Sequence, residues 1–208
     1  MEEVLELYAQ PYDPQRPVVC FDESPKQLIA ETRTPLPAQP GQVEKYDYEY
    51  RRNGTSNLFM FFEPRGCWRH ADVTDHRTML DFAQEMKWLV DMKYPQAEKV
   101  RVVLDNLNTH RPAALYEAFE PSEARRILRR LEFHHTPKHG SWLNMAELEL
   151  AVFQRECWDR RIGDKATLAS ETLTLERSRN AAQATVKWRF TVHDARSKLH
   201  ALYPPCST

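Results

Sequence analysis

Apolar residues fall along this chain first in short β-rich runs and later at helical spacing. The first run, PVVCFDE, reads as a short buried strand ending in Asp22 and Glu23. Pro11, Pro14 and Pro17 precede it, and Pro35, Pro37 and Pro40 follow it. Both proline groups predict irregular connections, because proline lacks an N–H and pushes its predecessor away from helix. Asn53-Gly54 signals a turn, Leu58–Phe62 a strand, Pro64-Arg65-Gly66 a second turn, and Cys67–Val73 a return strand. Met79, Phe82, Ala83, Met86, Leu89 and Val90 recur at three- and four-residue steps. They predict a helix over Asp75–Met92, capped by Thr74 or Asp75 and ended at Tyr94-Pro95. KVRVVLDN is a second β-rich run, ending in Asp105. Helices are then expected over Ala113–Phe119 and Ser122–Arg130, followed by a short strand in LEFHHTP. A long helix runs from about Leu143 to Trp158, with further helix through Leu168–Arg177 and Val192–Leu202. Strands, meander, helix, strand and helices make an α/β layer pattern with a mixed sheet.

Composition narrows the class. The 208 residues carry a charged fraction of 28% and 11% aromatics, ordinary for one folded domain with a sizeable core. No run approaches the length of a membrane span, and the acidic start MEEVLELYAQ has neither the basic nor the apolar region of a signal peptide. Cys20, Cys67, Cys157 and Cys206 are widely spaced, so neither a disulfide framework nor a zinc–cysteine site is suggested, and a reducing cytoplasm is the expected setting. The net charge of −1 hides an asymmetry, net −4 over residues 1–60 against net +4 over 155–200. A solvated surface and a C-terminal contact with a polyanion explain it about equally.

Two acids close apolar strands: Asp22 after VVCF and Asp105 after VRVVL. Strand carboxyl ends are where ligand sites collect in α/β sheets, although an acid there can be a simple strand terminator. A third, Glu147, lies in HGSWLNMAELEL, where Asn144 and Glu147 also fit a capping box. Glu149 and Glu156 have the spacing of solvated positions.

These acids gain meaning together, because VVCFDE, VLDNLNTH and TPKHGSWLNMAELE, in that order, resemble the motifs of mariner-related insertion-sequence transposases. The resemblance continues through QLIAETRTPLP, YDYEYRRNGTSNLF, ERSRNAAQATVKWRFTVHDARSKL and the closing LYP, nearly the whole chain. It implies a DDE superfamily endonuclease domain over residues 17–203 behind a lead-in of residues 1–16, with a ribonuclease-H-like fold: a five-stranded mixed sheet flanked by helices. The implied strand arrangement puts Asp22 and Asp105 on neighbouring strands. By motif, Asp22, Asp105 and Glu147 are the catalytic and metal-binding residues, with Glu149 as the alternative third acid. The second Asp and the Glu are separated by 41 residues, more than is common in relatives, and Met145-Ala146 stands where many have proline.

The implied chemistry is cleavage and strand transfer of DNA phosphodiesters at transposon ends. Carboxylates are hard ligands suited to Mg²⁺ or Mn²⁺, and such a trio can hold two ions. Implied partners are double-stranded DNA and, in the active complex, a second copy of the chain as a homodimer, with no membrane. Relatives usually carry an upstream helix-turn-helix module, for which Met1 lies too close to the first strand. The competing expectations are a nuclease of the same fold acting on other nucleic acids, and an inactive remnant serving as an interaction module.

Several residues are candidates for contacting DNA or holding the acids in place: Asn106, Asn108, His110, Lys138, His139, Asn144, Arg179, Lys187 and Arg189. Structural turn or surface roles compete for each. His134, His135 and His139 lack the cysteine partners of a zinc site, which makes zinc the weaker reading. Trp142, Trp158, Trp188 and Phe190 are expected in the core more than in base stacking. Arg177, Arg196 and Lys198 add to the late positive charge.

Overall fold

The computed structural model describes residues 1–199. Five strands, β1 (Val18–Glu31), β2 (Tyr50–Glu63), β3 (Trp68–Thr74), β4 (Val100–Leu104) and β5 (Leu131–His135), form one mixed sheet in the order β3-β2-β1-β4-β5. β2 pairs antiparallel with both β1 and β3, while β4 pairs parallel with β1 and β5 parallel with β4. The helices are α1 (Glu2–Ala9), α2 (Met79–Trp88), α3 (Ala113–Ala118), α4 (Pro121–Leu128), α5 (Met145–Phe153), α6 (Lys165–Ala181) and α7 (Val192–Lys198). This five-stranded mixed sheet flanked by helices is a ribonuclease-H-like fold.

Strand alternation divides the core into two layers. Val19, Phe21, Phe59, Phe61, Val102 and Leu104 face one way and meet Phe82, Met86, Leu115 and Ile127 of α2, α3 and α4. Cys20, Leu58, Met60, Phe62 and Val103 face the other way and meet Leu5, Tyr8, Ala146, Leu150, Phe153 and Trp158. A central strand with both faces covered must be apolar on both, which is why these runs read as continuous rather than alternating. Each such side chain taken fully out of water contributes about 1.5–3 kcal/mol.

Three local expectations are corrected. β1 does not end at Asp22; it continues to Glu31 as an arm paired with β2. Asn53-Gly54 is not a turn: the register slips there, so that Leu28 alone faces both residues, and Gly54 takes φ +91°. Such a bulge needs the left-handed conformation that a turn needs, so the dipeptide signal is the same for both. α2 starts four residues later than expected, at a capping box made by Thr78 and Asp81, and continues as a π-helical turn over Leu89–Lys93. The lead-in contains α1, whose Val4, Leu5, Leu7 and Tyr8 are buried. α7 ends at Lys198; the rest of the helix expected to Leu202, and the LYP motif, lie outside the described residues.

Candidate active site

β1 and β4 set the two aspartates. Their parallel pairing runs from Val18 opposite Arg101 to Cys20 opposite Val103. Asp22 and Asp105 each lie two residues further along, where β4 ends and β1 continues alone with β2. Alternation then decides what each side chain meets. Asp22 shares the face of Cys20, toward α5; Glu23 shares the face of Phe21, toward the α2 and α3 layer.

Asn144 positions the third acid. It is buried, its side-chain oxygen caps α5 by accepting from the Ala146 N–H (3.2 Å), and its Nδ2 donates to the Phe21 carbonyl (2.8 Å). One side chain therefore ties the first turn of α5 to the residue preceding Asp22. Glu147 lies in that first turn. Its charge bears on Asp22, whose carboxyl is pushed up to about 7 by burial first, then by Glu147, Glu23 and Asp105, against the Glu23 N–H bond that favours the ionised form.

Glu149 is taken up by other partners. Two residues on from Glu147 it points about 200° around the helix, where it is buried 2.7 Å from the Arg69 guanidinium and 2.6 Å from that of Arg179. It is not a solvated position; it joins α5 to β3 and α6. The structure also places Arg179 in this ion pair.

His110 joins the ends of the two central strands. It is 1% exposed, with Nδ1 2.7 Å from Asp105 Oδ1 and Nε2 2.9 Å from Glu23 Oε2, the latter contact off the direction of a good hydrogen bond. Burial alone would lower its pKa, but the two carboxylates outweigh burial and raise it to about 9. In turn Asp105 stays below the usual carboxylate range: burial opposes this, while His110, the Leu107 N–H and the charge of His135 more than compensate. Sequence reasoning did not identify Glu23 as His110's second partner. Its parity opposite to Asp22 was the available signal.

The other candidates are dispersed around this centre. Asn106 donates to the Thr136 carbonyl (3.1 Å) and Asn108 accepts from Arg111 (2.7 Å). Lys138 and His139 are exposed on the loop before α5, His139 at φ +61°. His134 turns to Glu3 and Glu132 while His135 meets the Asp105 carbonyl, so the histidine run does not converge. Lys187 and Arg189 are exposed, whereas Trp158 is buried and donates to Thr172. Arg196 pairs with Glu2 and Lys198 with Asp194, so part of the late positive charge is internally balanced. Burial raises the Cys20 thiol to about 11, which leaves it a core residue and no nucleophile.

The family model described as DDE superfamily endonuclease matches residues 17–169. The chain belongs to that family. No curated protein matches it. Among solved structures it is similar to a Mos1 mariner paired end complex with Mn, at 14% identity and a TM-score of 0.37 over 90% of this chain and 61% of that one. A pre-cleavage Mos1 transpososome gives 13% identity and a TM-score of 0.40 over the same shares. The chain thus spans about three-fifths of the length of those solved chains.

Among the described residues no three His, Cys, Asp or Glu side chains are drawn together closely enough to hold a metal ion as they stand. The donor set at the ends of β1 and β4 and the start of α5 nevertheless fits a hard divalent cation: carboxylate oxygens with no thiolate, whose charges bear on Asp22.

Proposed function

We propose that this domain is the catalytic part of a mariner-type DNA transposase, cutting and joining DNA phosphodiesters at transposon ends. Asp22, Asp105 and Glu147 would hold Mg²⁺ or Mn²⁺. When bound, such ions supply Lewis-acid stabilisation to the reacting phosphate and activate the attacking hydroxyl. The chain's own part is positional. Asn144 fixes α5 and with it Glu147 against β1, while His110 and Glu23 hold Asp105 in one orientation. The observation that carries the reading is geometric: Asp22 and Asp105 each lie two residues beyond the last β1–β4 pair, and Asn144 ties the first turn of α5, which holds Glu147, to Phe21 beside them.

Asp22→Asn, Asp105→Asn and Glu147→Gln should each abolish Mg²⁺-dependent nicking of a transposon-end duplex while the chain still unfolds cooperatively in urea. A variant that keeps full activity removes its residue from the ligand set. Cleavage of RNA–DNA hybrids or Holliday junctions in preference to end duplexes would favour another nuclease of this fold. No heat of Mn²⁺ binding to the wild-type chain in calorimetry would favour the inactive remnant.

The partners of this reading are double-stranded DNA and a second copy of the chain, one per transposon end. Phosphate contacts alone are salt-dependent and nearly blind to sequence, with dissociation constants on the order of 10⁻⁴–10⁻⁶ M. Reading of the terminal repeat would fall to a helix-turn-helix module outside this domain.

A further inference from the structure

A cavity of about 350 Å³ opens at the opposite end of the central strands from the acids, lined by Val18 and Arg101 where β1 and β4 begin. Along β1, Val18 at the cavity lies about 13 Å from Asp22, while Met145 at the start of α5 also lines the cavity. Its charged lining is Arg16, Arg65, Arg101 and Lys187 against the carboxylate of Asp13, with Arg16 already paired to Glu132 at 3.1 Å.

Arg101 is the telling residue. It is 6% exposed, and its guanidinium is held by neutral oxygens, the Arg16 carbonyl and the Gln10 amide, with no carboxylate in ion-pair contact among the described residues. Glu132 and Asp13 act on it only through space, and a buried guanidinium whose donors meet neutral oxygens beside a cavity favours an anion there. Arg65 and Lys187 are exposed at the rim. Flat apolar walls come with the charge. Trp188 is set edge-on to Tyr8 (5.4 Å between ring centroids) and stacked on Trp142, and Tyr12 stands half exposed. From Val186 to Phe190 the chain alternates, with Lys187 and Arg189 outward and Val186, Trp188 and Phe190 turned inward. The positive edge therefore runs on past the cavity mouth, as a continuing phosphate backbone requires and a free nucleotide does not.

We propose that this cavity is a second nucleic-acid site, taking one nucleotide of a DNA strand, its phosphate on Arg65, Arg101 and Lys187 and its base against Tyr12 and Trp188. The site deepens the DNA reading above and rests on it for the identity of the strand. It uses none of the three acids.

The test titrates the full chain in EDTA with a short single-stranded oligonucleotide, with dAMP and with inorganic phosphate, followed by tryptophan fluorescence and calorimetry. The oligonucleotide should bind most tightly. The double variant R65E/K187E, altered only at exposed positions, should bind it about tenfold or more weakly and with a shallower salt dependence, since each phosphate contact to single strands contributes about 0.7 to the slope. Tyr12→Ala should weaken binding several-fold and leave the slope unchanged, because ring stacking carries no charge. Equal binding by wild type and R65E/K187E overturns the site. So does dAMP binding as tightly as the oligonucleotide, or an absence of binding at low salt. The chelator separates this outcome from the catalytic reading: loss of nicking in Asp22→Asn with strand binding retained counts against nothing here. Unchanged strand binding in R65E/K187E leaves the acids' role standing.

Discussion

Asn144→Ala should cost both stability and activity, and the structure allows the cost to be worked out. The side chain supplies two bonds in a buried setting: it caps α5 through Ala146 and donates to the Phe21 carbonyl. Loss of an N-cap side chain costs about 1 kcal/mol. Leaving a buried carbonyl short of its donor costs about 1–3 kcal/mol. Together the change is about 2–4 kcal/mol, a large share of the roughly 5–15 kcal/mol that holds a domain folded. Urea unfolding followed by circular dichroism reads it directly. Asn144→Asp separates the contributions, because it keeps the capping oxygen and replaces the donor with a second oxygen aimed at the Phe21 carbonyl. If the argument holds, the Asp variant keeps the helix start but loses end-nicking activity, since Glu147 is no longer tied to the Asp22 strand. An alanine variant that loses less than about 0.5 kcal/mol, within the range of ordinary surface changes, would refute it. So would an aspartate variant with wild-type nicking.

Two further perturbations probe the frame around the site. Glu149→Gln leaves Arg69 and Arg179 facing a neutral amide at a buried position; removal of one partner of a buried pair costs about 3–5 kcal/mol, seen as a lowered urea midpoint, and an unchanged midpoint would mean that Glu149 does not pin α5 to β3 and α6. Glu85, buried in α2, has its carboxyl raised to about 8 by burial and by Asp72 and Asp81. A raised acid binds its proton more tightly in the fold than in the unfolded chain, so its contribution is fully present below the unfolded value and is lost as pH rises through about 8. The loss is on the order of 1.4 kcal/mol per pH unit in that window. Glu85→Gln should flatten unfolding free energy between pH 5 and 8 and raise it at the alkaline end, and an undiminished slope would assign the pH dependence elsewhere.

The central strands and the aspartates beside their ends were legible in the sequence. VVCF is apolar throughout and VRVVL at every position but Arg101, a pattern that a strand covered on both faces favours, and Asp22 and Asp105 follow where those runs end. Helical spacing in Met79–Val90 and around Leu143–Phe153 likewise follows from one buried face. Packing set the partnerships between residues far apart in the chain. Glu147 and Glu149 are two acids on one helix, and nothing local separates them. Arg69 and Arg179, distant in sequence, claim Glu149, while the Asn144 tether to Phe21 holds the turn that carries Glu147 beside β1. Asn53-Gly54 demands a left-handed residue whether the chain turns or bulges, and only the pairing of β2 with β1 selects the bulge. Glu23 and His110 meet because β1 and β4 lie side by side, a neighbourhood that 86 residues of intervening chain do not encode locally. Local sequence specifies torsions and the sidedness of each element; which charge finds which partner is set by the packing of elements against one another, because those contacts form only after the chain has folded.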